Sequence, residues 1–399
     1  MFTRILFAWA IMASTISPLH AAPLSDEYKV NTTAASVVLT GLSTGDNGDT
    51  SVSMREYRNG GPLANYVQRY DYMGNRFSPT ERYYGIDTSG VADNNNGRFV
   101  FARNAPDGSG SGVYLSVYAR NGSLSIPEFG ATARVLDNQN GGKVVMNSAG
   151  FFGVLWQNQA TGLSQSFARI FNTTGVPRTG DILLASIGTT PSSWDYASDL
   201  SIDGSGNIAA VGVAYSAGKQ NIWLKRFNSL GVKIANVSPL NSASFSTAIQ
   251  DLNPSIATAP DGTSIIVWER FDQFTKIMGV KVSSLGARLE PEFTIATLPA
   301  GANMAAPKVA IRADGKFVVT WQYLPLQGKR LVYAQAFNAN TVPNGGAFVV
   351  GPLASTLLGI GANGISIDPD PVYDNFTIGW TAVDAMGHVD VYARRYNMR

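Results

Sequence analysis

Cysteine is absent from this 399-residue chain, and histidine occurs only at His20 and His388. Without thiols there is no disulfide framework, no thiol catalysis, no cysteine-held metal and no lipid-modified N-terminal cysteine. The fold must be held by its core, which a chain of this length can build. Multi-histidine zinc, iron or copper sites are excluded as well. A Ser-His-Asp triad would have to use His388, in Ala385-Met-Gly-His388-Val-Asp390, and no Gly-x-Ser-x-Gly elbow accompanies it. His388 therefore reads as a surface-loop residue. Charge is scarce too: 15% of residues are charged and the formal net charge is +2, which predicts no general attraction to nucleic acid or to an anionic membrane.

Long apolar runs are lacking outside the N-terminus, so no membrane insertion is expected. The first 22 residues read as a secretory signal, with Arg4 as the positive region, an apolar run from Ile5 to Ile16, then Pro18 and the small residues Ala21 and Ala22. The apolar run is shorter than the roughly 20 residues a bilayer needs. The expected location is secreted or periplasmic.

What is abundant is turn and strand chemistry: 41 glycines, 19 prolines, 45% hydrophobic residues and 11% aromatic residues. An anchor followed four residues later, in most copies, by glycine returns seven times, at Tyr70, Tyr118, Phe171, Phe227, Val282, Phe337 and Tyr396. The spacing is ~50 residues, the period of propellers and arrays. The fifth copy shows the unit. Asn253 begins a short inner strand, Pro260-Asp-Gly262 is a turn, and Thr263 to Glu269 is a buried β-branched and aromatic strand. A third strand, Lys276 to Val282, and a fourth, Glu292 to Thr297, complete it. Tryptophan recurs in the second strand as Trp156, Trp268, Trp321 and Trp380, with Val213, Ala102 and Met54 counted into the same slot elsewhere.

Four short antiparallel strands per repeat make a propeller blade, and neighbouring blades must pack face to face. The expected fold class is all-β, a seven-bladed β-propeller forming a single domain over residues 23–399. The blades fall at about 35–85, 86–138, 139–190, 191–242, 243–298, 299–352 and 353–399. The seventh copy stops after its third strand. Glu27-Tyr-Lys-Val-Asn-Thr32 is patterned like Glu292-Phe-Thr-Ile-Ala-Thr297, so residues 26–32 are expected to close blade seven and remove an open edge.

The run Pro-x-Val-Ala-x-x-x-Asp-Gly-x-Phe-Val-Val-x-Trp, from Pro307 to Trp321, followed by Tyr333-Ala-Gln-Ala-Phe-Asn338, resembles repeats of secreted bacterial β-propeller proteins and surface adhesins. The resemblance is best over residues 303–350 and fair over 251–297, and looser copies extend across nearly the whole mature chain. It implies a propeller that binds or scaffolds, and it carries no catalytic motif.

Ligand recognition is expected at the face bearing the loops between second and third strands and the connections between blades. Candidates there are Arg103, Gln157, Tyr215, Gln322 and Tyr323, where aromatic faces stand beside amides and arginine. Trp194 and Asp199 lie in the connection into blade four. Glu269, Arg270 and Asp272 follow the second strand of blade five. The leading expectation is a non-enzymatic binding or scaffold module for carbohydrate or protein, monomeric, with no catalytic residues, no metal ligands and no cofactor assigned. The alternative is a carboxylate-dependent, glycosidase-like enzyme at the same mouth, using two of Glu56, Asp251, Glu269 and Asp272. Calcium stands as a candidate cofactor through Asp46-Asn-Gly-Asp49, Asp93-Asn-Asn-Asn96 and Asp368-Pro-Asp-Pro-Val-Tyr-Asp374, which ordinary turn chemistry also explains.

Overall fold

The computed structural model describes residues 23–24, 28–31, 36–45, 47–58, 61–77, 81–83, 87–94, 96–133, 137–160, 163–187, 193–216, 218–242, 249–298, 303–324, 331–350, 363–367, 375–383 and 388–398. The expected signal segment 1–22, and Asp46 and Asp368–Asp374 of the calcium candidates, lie outside the described residues. The strands form seven sheets of four, each ordered as its strands follow in sequence, except that the seventh takes its outer strand from the N-terminal segment. This is the seven-bladed propeller. The inner strands of blades one to seven are Ser36–Thr44, Asp87–Asp93, Asn138–Met146, Ser193–Ile202, Gln250–Thr258, Asn303–Ile311 and Asn363–Ile367.

Four blades are pinned by stacked rings where the second strand begins. Ring pairs Phe99–Tyr118, Phe152–Phe171, Phe317–Phe337 and Phe376–Tyr396 stack with centroids 4.9, 5.0, 4.7 and 5.4 Å apart. The recurrent anchor is thus cross-strand packing inside a blade. Strand register corrects the tryptophan slot in two blades. Opposite the third strand, the positions equivalent to Trp156 are Arg103 in blade two and Gly212 in blade four, not Ala102 and Val213. In blade four the indole comes from the partner strand. Trp223 lies opposite Gly212, and a Cβ there would sit 2.2 Å from its ring, so only glycine admits it.

Buried apolar residues gather into seven clusters, one at each junction between adjacent blades. The junctions are also latched by charge. Arg69, Arg226 and Arg395 each precede an anchor and reach the next blade, donating to the carbonyls of turn glycines Gly97, Gly262 and Gly48 at 2.7, 2.8 and 3.3 Å. Arg69 also pairs with Asp93 at 3.1 Å, and Arg120 pairs with Asp49 at 2.5 Å. The two described aspartates of the calcium candidates therefore face guanidinium groups.

The N-terminal segment closes the ring as expected. Tyr28 and Lys29 pair antiparallel with Ala393 and Tyr392, and Pro23 bridges to Tyr396. The Val30 amide donates to the Val391 carbonyl at 2.8 Å, the Asn31 side chain exchanges hydrogen bonds with Asp390 and Val391 at 2.8 Å, and Lys29 pairs with Asp390 at 2.7 Å. Deleting residues 23–34 is expected to lower the melting temperature by ~5 °C or more in a thermal scan, because it opens a blade edge and unpairs Asp390. An unchanged midpoint would show that the closure contributes nothing.

Candidate functional site

Strands alternate in direction, so the loops between second and third strands and the connections between blades share one end of the ring. The tight turns, with left-handed glycines such as Gly97, Gly206 and Gly262, share the other. Between the ends the inner strands enclose an axial channel with a cavity of about 380 Å³. Six of these strands shift register against their second strand at the same place: between Leu39 and Gly41, Thr88 and Gly90, Asn140 and Lys143, Ala197 and Asp199, Leu252 and Ser255, and Ala305 and Lys308. A bulge re-aims the side chain that follows it. Gly141, Asn253 and Ala306 take the left-handed φ values of 77°, 51° and 53° that such shifts require.

The first residues paired after the shifts form a ring around the channel: Gly41, Gly90, Lys143, Asp199, Ser255 and Lys308, all of them lining the cavity. Asp199, 1% exposed, ties three blades together. Its Oδ2 accepts from Ser255 Oγ at 2.8 Å and from the Ile256 amide at 3.0 Å. Its Oδ1 takes the Leu200 amide at 2.8 Å and the Lys143 ammonium. Enclosure in the ring, and then the Lys308 ammonium, push Lys143 below the ordinary lysine range, against the pull of the Asp199 carboxylate beside it. Burial likewise lowers Lys308, with Glu269 opposing. Glu269 is raised, first by burial, while the Ala306 amide, donating at 2.5 Å, and the Asn253 side chain favour its charged form.

Of the residues singled out from the sequence, the structure brings Asp199 to the channel wall and Glu269 to the junction beside it. Arg270, also buried, is held by both oxygens of Asp251 at 2.8 and 2.7 Å and by Glu292 at 3.2 Å. Gln157 spans blades three and four, donating to the Ala197 carbonyl at 3.1 Å and accepting from Ser166 Oγ at 2.9 Å. Tyr323 packs edge-on against Tyr333 with centroids 5.7 Å apart. Arg103 lies on the flank of blade two, paired with Glu128 at 2.6 Å and stacked 5.8 Å over Tyr114. Asp272 pairs with Lys276 at 2.6 Å. Gln322 is buried and Tyr215 half-buried in their second strands, and the Trp194 side chain lies outside the described residues. His388 is exposed, just before the third strand of blade seven. Among the described residues no three of His, Cys, Asp and Glu cluster as a metal set.

Lys143, Ser255 and Lys308 were not singled out from the sequence. The signal was present: each ring residue is followed by Val, Leu or Ile, as in Lys143-Val, Asp199-Leu, Ser255-Ile and Lys308-Val. Asp199→Ala is expected to destabilise the protein by about 3 kcal/mol in urea unfolding, since it strands a buried hydroxyl, two amides and an ammonium together. Lys143→Met, whose ammonium opens on the lumen, is expected to cost less than about 1 kcal/mol. Equal losses in the two variants would count against Asp199 as the tie between blades.

No known protein family matches the chain, and no curated protein sequence does. Solved structures do resemble it. A protein of unknown function from Dyadobacter fermentans DSM 18053 has a TM-score of 0.52 at 10% identity, over 94% of this chain and 99% of that one. The polysaccharide lyase Uly1 has a TM-score of 0.55 at 9% identity, over 96% of this chain and 100% of that one. At such identities the likeness is one of fold.

Proposed function

We propose that this chain is a secreted, monomeric, non-enzymatic binding propeller that recognises a carbohydrate or protein ligand at its loop-bearing mouth and the channel beneath it. One observation carries this reading: the buried carboxylates near the mouth are occupied by donors of their own or a neighbouring blade. Asp199 is bound by donors from blades three, four and five, Asp251 by Arg270, and Glu269 by the Ala306 amide of the next blade. Glu56 accepts from the Tyr66 hydroxyl inside blade one. Glycoside hydrolysis needs two carboxyls placed across one bond, and these side chains are directed into junctions between or within blades.

A second reading keeps one specific support. Burial raises Glu269, as a general acid requires, so a carbohydrate-active enzyme at the same mouth is the competing function. A glycan array together with chromogenic glycosides separates the two. Binding without turnover is the expected result. Turnover that disappears in Glu269→Gln would replace the binding reading with the enzymatic one.

A further inference from the structure

The ring around the channel is uneven. Blade seven pairs without a shift, and its equivalent position is Gly364, opposite Gly379. Blades seven, one and two thus contribute Gly364, Gly41 and Gly90, whereas blades three to six contribute Lys143, Asp199, Ser255 and Lys308. Three of the four polar residues satisfy one another, because Lys143 and Ser255 both donate to Asp199. Lys308 stands apart. Among the described residues none accepts a hydrogen bond from its Nζ. Glu269 acts on it through charge, yet holds the Ala306 amide with its own Oε1. The ring positions that follow Lys308 are the three glycines, so Lys308 is the last ring residue with a side chain before the side of the ring that carries none.

We propose that this side of the channel binds the carboxylate of a small polyhydroxylated acid, a sugar acid of about monosaccharide size, with Lys308 as its charged contact. The reading rests on the binding function proposed above and names the chemistry of its ligand. Lys308 is half-buried on the channel wall, and among the described residues its ammonium has no hydrogen-bonded anion, a place that a ligand carboxylate can take. The rest of the wall suits hydroxyls: Thr40, Ser43, Ser201 and Thr258 line it, and among the described residues no aromatic ring does, which favours hydrogen bonding over stacking. A cavity of about 380 Å³ is at the small end of ligand sites.

Calorimetric titration of the intact chain with galacturonate, galactose and acetate tests this. Galacturonate is expected to bind, with galactose (hydroxyls without the charge) and acetate (charge without the hydroxyls) each at least about tenfold weaker. Lys308→Gln is expected to weaken galacturonate by about tenfold or more at an unchanged melting temperature, and Lys308→Arg, which keeps the charge, to stay within about threefold of the native chain. Equal affinity for galactose or acetate, undiminished binding by Lys308→Gln, or no galacturonate binding by the native chain overturns the assignment. If the glycan array still finds a neutral ligand, only the sugar-acid assignment falls; if nothing binds in either experiment, the binding function falls with it.

Discussion

A four-stranded blade has two apolar faces and can hide neither alone. Everything else in this structure follows from that constraint. The seven buried clusters lie between blades rather than within them, each shared by two neighbours, so no blade has a core of its own. Such an arrangement is sound only when the circle is complete. Without disulfides, completion falls to main-chain pairing of residues 23–24 and 28–30 with residues 391–396 and to the hydrogen bonds around Asp390.

The architecture was legible because strands, turns and anchors are local signals that repeat. Even the closing strand was readable, since its pattern matches an outer strand and the seventh repeat lacks one. The tryptophan slot shows where counting fails. Distances from the anchor assume equal loops, and in blade four the indole has moved to the facing strand, where Gly212 makes room for Trp223. Only register reveals the exchange.

The candidate site was less legible for a related reason. The loops were expected to carry function because there the copies differ most. The structure adds a second place where copies disagree, the residue after the inner-strand bulge, which runs from Gly41 through Lys143 and Asp199 to Lys308. A bulge leaves little trace in an isolated strand, since a left-handed Asn253 or Ala306 looks like any other strand residue. Asp199 was singled out as a ligand contact, and its first visible role is mechanical: one carboxylate accepts from three blades.

The closing pair also orders events in time. Asn31 and Asp390 stand 359 residues apart in sequence, so their contact forms after nearly all of the chain is available. Contacts of such separation slow folding, because the entropy of loop closure must be met before they reward it. Until then, the third strand of blade seven offers an unpaired edge to any extended segment nearby. The protein is therefore most exposed to mispairing late in folding, and the strand Tyr28–Lys29 with its flanking contacts is the cap that ends that interval.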